Sequence, residues 1–276
     1  MSGLDKLCIH TITTKPWRLQ TAAAKYAAAG VGGISIWRNV FEESEPHKVR
    51  QVVEDYGLEV VSLVRGGFFA DSSASRRLAA IDDNRQAIEQ AAIVKAPMVV
   101  LVCGASTDQP LETSRGQIEE GIVSLLPLAE ELGVKLAIEP LHPMYADFRS
   151  AINTLRQANE MAESINSPYV GIAVDVYHLW WDPDLEQEIQ RCGAKGNLLA
   201  YHICDWKSPT EDMLNDRGLM GEGCINLRQI GQWVADAGFT GFEEVEIFSN
   251  RYWKMDQDEF LERIVKAYRA LHTPKQ

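Results

Sequence analysis

Short apolar runs alternate with longer amphipathic or alanine-rich stretches from one end of this chain to the other. Strands are predicted near residues 6–12, in GGISIWR, in LEVVSLV, in MVVLVCG, in the run KLAIE, in YVGIAVD, in NLLAYHIC and in GFEEVEI. Helices fall between them. TAAAKYAAAG ends the first and Gly30 closes it; the others cover about 46–56, 75–94, 112–132, 150–164, 184–193, 227–238 and 256–271. Gly133 is a natural C-terminal cap for the fourth. LEVVSLV is read as stopping at Arg65-Gly66-Gly67, ahead of a polar insertion around 71–76.

Eight strands, each followed by a helix, imply a parallel sheet covered by helices. Closed on itself, such a chain is an α/β protein of the (β/α)8 TIM barrel class. An open doubly wound sheet is the alternative, and no GxGxxG follows the first strand to support its dinucleotide-binding form. The 276 residues suit a single domain spanning 1–276, since such barrels run near ~250 residues.

A net charge of −12 speaks against a nucleic-acid surface, which needs clustered Lys and Arg. The five cysteines show neither a CxxC nor a framework spacing, so reduced thiols and a cytoplasmic setting are expected. No stretch reaches the roughly 18 apolar residues of a membrane span, and no membrane partner is expected.

The chemistry gathers at four strand ends. In KLAIEPLHP the proline cannot continue regular pairing, so Glu139 sits where a strand stops. VGIAVDVYH carries Asp175, LLAYHICDW carries His202 and FEEVEIF carries Glu246. Such positions in a barrel converge on one axis at the face where barrel enzymes keep their active sites. The three carboxylates among them would repel one another unless a cation or shared protons intervene. One divalent ion, Mn2+, Mg2+, Co2+ or Zn2+, suits that donor set. Glu243 and Glu244 compete with Glu246 as the last ligand, and Glu244 shares its face.

IEPLHP, VDVYHLWWDP, YHICDW with NDRGLMGEG, and EVEIFS resemble the xylose-isomerase-like TIM barrels over essentially the whole chain. The branch is that of sugar phosphate isomerases/epimerases, D-tagatose 3-epimerase-like enzymes and inosose dehydratases. The resemblance implies that Glu139, Asp175, His202 and Glu246 hold one divalent metal and that VEIFS selects Glu246 over its neighbours. It also implies that His178 and Arg217 contact a small carbohydrate substrate, and that the chain forms a homo-oligomer, dimer or tetramer.

Glu139 and Glu246, on opposite faces of a planar enediolate, are then the catalytic acid and base of an isomerase or epimerase. A keto-inositol dehydratase would start from the same proton removal. An endonuclease IV-like nuclease needs further histidines, whereas here Cys103-Gly104 ends the fourth strand and Asp216 is followed by Arg217-Gly218. Arg65, His142 and Trp37 are further candidates for substrate binding. Arg65 would favour an acidic or phosphorylated substrate if it lines the pocket. Trp180, Trp181 and Trp206 either cover the barrel mouth or meet another copy, and sugar C–H faces also pack on such rings.

Overall fold

Period-two alternation along the first strand sets the plan of the molecule. In β1, Leu7–His10, Leu7 and Ile9 join the layer between sheet and helices. Cys8 and His10 take the opposite face, where Cys8 Sγ lies 3.2 Å from Ser35 Oγ inside the barrel. Seven further strands follow the same logic: β2 Gly33–Trp37, β3 Glu59–Gly67, β4 Met98–Val102, β5 Lys135–Ile138, β6 Val170–Asp175, β7 Leu198–Ile203 and β8 Glu243–Val245. In this computed structural model, which describes residues 3–273, they close into a parallel barrel in which β8 pairs with β1.

Eight helices wrap it: α1 Leu19–Ala29, α2 Pro46–Asp55, α3 Ala74–Val94, α4 Leu111–Leu132, α5 Leu155–Ile165, α6 Leu185–Ala194, α7 Leu227–Asp236 and α8 Gln257–His272. α4 ends at Gly133, whose φ of 67° is the left-handed cap expected of it. None among the described residues is long and apolar enough to cross a membrane.

The barrel interior is filled by Val64, Met98, Val100, Ala137, Ala173 and Ala200. Small side chains thus hold the inward positions of β5, β6 and β7. Two residues further on, toward the carboxyl ends, the same face carries Glu139, Asp175 and His202.

The structure departs from the sequence expectation in three places. β3 runs on through both glycines to Gly67, two residues past the Arg65 expected to end it, with a register shift against β4 between Val64 and Gly66. Only glycine fits there: Gly67 has φ 110°, and a Cβ on it would lie 1.9 Å from the Val102 carbonyl oxygen.

α5 starts at Leu155, later than the expected 150, because the Thr154 side chain caps it by accepting from Gln157 N at 3.2 Å. The residues before it return to β4, where Gly104 N donates to Arg149 O at 2.8 Å and Ala151 N donates to Gly104 O at 2.9 Å. The loop expected after β7 contains a short antiparallel ribbon, Asp205–Trp206 against Arg217–Gly218. That ribbon holds Arg217 over the barrel mouth.

Candidate metal centre

Each strand end delivers one buried donor. Glu139 follows β5 directly, Asp175 is the last residue of β6, His202 is the penultimate residue of β7, and Glu246 follows β8. Asp175 and His202 are fully buried, and Glu139 and Glu246 nearly so. One ligand atom from each lies within 4.8 Å of all the others. His202 Nδ1 is 3.0 Å from Glu139 Oε1, while its Nε2 is buried without a hydrogen-bond partner. Three carboxylates and an imidazole converging at this distance fit a single divalent ion.

Arg217 is drawn into the same charge. Its Nη1 donates to Asp175 Oδ2 at 3.0 Å and to Glu246 Oε2 at 2.8 Å. The guanidinium lies between the rings of Tyr177 and Phe248, 4.4 and 5.2 Å from their centroids.

Electrostatics separates the two carboxylates that share it. Burial pushes Asp175 up to about 6, since Arg217 only partly offsets burial and the nearby Glu139 and Glu246 add to it. Burial acts on Glu246 too, but Arg217 and then His10 outweigh it and hold this carboxyl well below its ordinary value. Burial pulls His202 down, yet Glu244 and Glu139 push it up to about 10.

His178, on the helical turn Val176–Leu179 after β6, is held well below the usual imidazole range by burial and by Arg217. Arg217 Nη2 lies 3.2 Å from its Nε2. Arginine can only donate, so Nε2 accepts and Nδ1 carries the proton. That Nδ1 has no partner among the described residues, and His178 lines the cleft above the carboxylates.

A second layer lies beneath this ring, and sequence reasoning did not anticipate it. Glu244 pairs in register with His202 and with Cys8, so it stands inside the barrel below Glu246. Its Oε2 accepts from Ser35 Oγ at 2.5 Å and Ser62 Oγ at 2.9 Å, and lies 3.1 Å from His10 Nε2. Its Oε1 has no hydrogen-bond partner among the described residues and lies 3.8 Å from His202 Nε2. His10 Nδ1 is 3.1 Å from Glu246 Oε1, which ties the two layers together. The only sequence signal for this layer was the spacing of Glu244 and Glu246 by two.

The narrow cleft above the ring is lined by Trp37, Val64, Val102, Leu141, Arg149, Leu214 and Phe248 besides the groups already named. Trp37 stacks edge-on against Phe248 at 5.1 Å, and its indole nitrogen lies 3.2 Å from His10 Nδ1. Arg65 stands half-buried at the register shift in β3, with its guanidinium 4.3 Å from the Phe68 ring centroid.

His142 does not join this lining. Its Nδ1 accepts from Met144 N at 3.2 Å, and its ring packs on Trp206 and Trp181 at 5.1 and 5.6 Å. Trp180 also packs on Trp206, at 5.6 Å, so these three tryptophans form one aromatic group within the chain. Arg149, absent from the sequence-based candidates, reaches the cleft because its loop returns to β4.

The crystal structure of protein SMc04130 from Sinorhizobium meliloti 1021 superposes with a TM-score of 0.94 at 43% identity, over 97% of this chain and 98% of that one. An inosose isomerase of Bacillus licheniformis is 27% identical over 172 residues, 60% of this chain but only 57% of the relative's length. A probable ketose 3-epimerase of Synechocystis sp. is 24% identical over 82% of this chain and 80% of its own. The family model described as xylose isomerase-like TIM barrel matches residues 23–270. With nearly all of the barrel inside that match, the chain belongs to the xylose isomerase-like TIM barrel family.

Proposed function

We propose that this protein is a divalent-metal-dependent isomerase or epimerase of a small carbohydrate, working by proton transfer beside a carbonyl. The observation that supports it is the convergence of Glu139 and Glu246, from β5 and β8, with Asp175 and His202 in one buried cluster under a cleft. A divalent ion held by these four residues supplies Lewis acidity, which polarises the carbonyl and acidifies the neighbouring C–H.

Glu246, kept ionised by Arg217 and His10, is poised to accept a proton. Glu139 stands across the ring to return one to the other face of the planar enediolate. Return to the same carbon inverts it, and return to the adjacent carbon interconverts aldose and ketose. His178 Nδ1–H and the Arg217 fork orient substrate oxygens. Trp37, Leu141, Leu214 and Phe248 wall the cleft against water. The inosose isomerase and ketose 3-epimerase relatives carry names of this reaction class.

The test is solvent exchange. With Mn2+ bound and a ketose panel in D2O, deuterium should enter the carbon next to the carbonyl, before or together with product. Turnover without any deuterium would mean direct hydride transfer and overturn the proton-transfer reading. A product lighter by one water would identify a dehydratase of the keto-inositol type. A dimer or tetramer is part of the same proposal, and a monomer by sedimentation would remove it.

A further inference from the structure

Two arginines beside the cleft make no ion pair among the described residues. Arg38 is paired with Asp83 at 2.7 Å, and Arg217 with Asp175 and Glu246 at 3.0 and 2.8 Å. Arg65 and Arg149 are half-buried, yet among the described residues neither side chain makes an ion pair or donates a hydrogen bond. Both are mounted on one small apolar cluster. Val102, Leu141 and Tyr145 pack together with Phe68 against them. The Arg65 guanidinium lies over the Phe68 ring at 4.3 Å, and that of Arg149 over the Tyr145 ring at 5.6 Å. Val102, Leu141 and Arg149 also line the cleft above the carboxylates.

The backbone holds both guanidiniums in place. The register shift between Val64 and Gly66 sets Arg65 apart from regular β3–β4 pairing, which re-aims its side chain. The return of the Arg149 loop to Gly104 anchors the other. The two charges feel each other: Arg65 is lowered to about 10 by burial, then by Arg149 and Arg38. Two partly desolvated cations on one apolar cluster are costly unless an anion pairs with them. An arginine fork matches a carboxylate or phosphate through two parallel N–H donors, and stacking on a ring leaves those donors free.

We infer that Arg65 and Arg149 form the binding site for an oxyanion, carboxylate or phosphate monoester, carried by the substrate whose carbonyl end meets Glu139 and Glu246. The inference rests on the isomerase or epimerase reading for the identity of that substrate's other end. The substrate class is thereby a sugar acid or sugar phosphate, with its carbonyl at the carboxylate ring and its anionic group on the two arginines.

Calorimetric titration of the Mn2+-loaded protein with D-fructose, D-fructose 6-phosphate and 5-keto-D-gluconate tests this directly. At least one anion should bind about 10–100-fold more tightly than D-fructose, the range for charge-assisted hydrogen bonds. The tighter of the two anions tells phosphate from carboxylate. Arg65→Met with Arg149→Met should abolish most of that preference, with metal content unchanged and D-fructose binding altered far less.

Raising the salt concentration on the unmutated protein provides a second readout that needs no variant. It should weaken anion binding and spare D-fructose. D-fructose binding as tightly as both anions, or a preference insensitive to salt and to both substitutions, overturns the inference. These are binding readouts, so absence of deuterium exchange with an intact anion preference would sink the proton-transfer reading alone.

Discussion

Glu244 and Glu246 stand two residues apart on one strand face, yet their surroundings differ in kind. Glu244 is met by hydroxyl and imidazole groups: Ser35, Ser62 and His10 all converge on its Oε2. Glu246 shares the His10 imidazole on one oxygen, but its other oxygen takes the Arg217 guanidinium, which Asp175 shares. A carboxylate oxygen met by two hydroxyls and an imidazole is already solvated by the protein and can serve as a fixed strut. Glu246, with Arg217 on one oxygen and His10 beside the other, is held ionised, whereas Asp175, with Arg217 but without His10, is not held so low. Burial alone does not tell such groups apart; the donors around them do.

The sharpest way to break this contrast is catalytic. Glu246→Gln, measured at saturating Mn2+, should lower solvent deuterium exchange by about 10²–10⁴-fold, the usual contribution of a general acid or base. Glu244→Gln under the same conditions should lose far less. Equal losses would erase the distinction between the two carboxylates.

Metal affinity comes next. Glu244 Oε1 lies 3.8 Å from His202 Nε2, close enough for a small movement to join them and orient the ring. Glu244→Gln should therefore weaken Mn2+ binding by about 10–100-fold in a chelator competition, as for other groups that orient a metal-binding histidine. An unchanged affinity would leave Glu244 a purely structural charge.

A smaller effect concerns pH. His202 is pushed up to about 10, so a cation taking this imidazole displaces a proton at neutral pH. Asp175, pushed up to about 6, adds a second proton only when the pH falls below that value. Protons thus oppose the metal: affinity should rise with pH, about tenfold per unit near neutrality and more steeply in acid. Calorimetry in buffers of different ionisation enthalpy counts the protons released, and a count of zero at neutral pH would contradict the charge assigned to His202.

The smallest expected effect belongs to the lower layer. Ser62→Ala removes one donor from Glu244 and leaves Ser35 and His10 in place. It should cost about 1.5 kcal/mol in urea unfolding, the low end for a hydrogen bond to a charged group, with Mn2+ affinity unchanged. A variant that lost metal but not stability would move Ser62 into the upper layer.

Much of this was legible in the chain itself. Alternating apolar runs and amphipathic helices specify eight strand–helix units, because both periodicities are local and repeat within a few residues. The same locality places Glu139 ahead of Pro140 and Asp175 at the end of its apolar run, so strand-end positions follow from neighbours in sequence.

The tertiary structure alone decided the rest. His10 meets Glu244 across 234 residues of sequence, a contact made by closing β1 against β8. Arg149 reaches the cleft because the chain after β5 returns to Gly104, and Arg217 because a two-residue ribbon folds over the mouth. β3 continues through Arg65 because Gly67 can approach the Val102 carbonyl where no Cβ would fit. Each depends on groups distant in sequence arriving together, which the pattern of apolar and polar positions along one strand cannot encode.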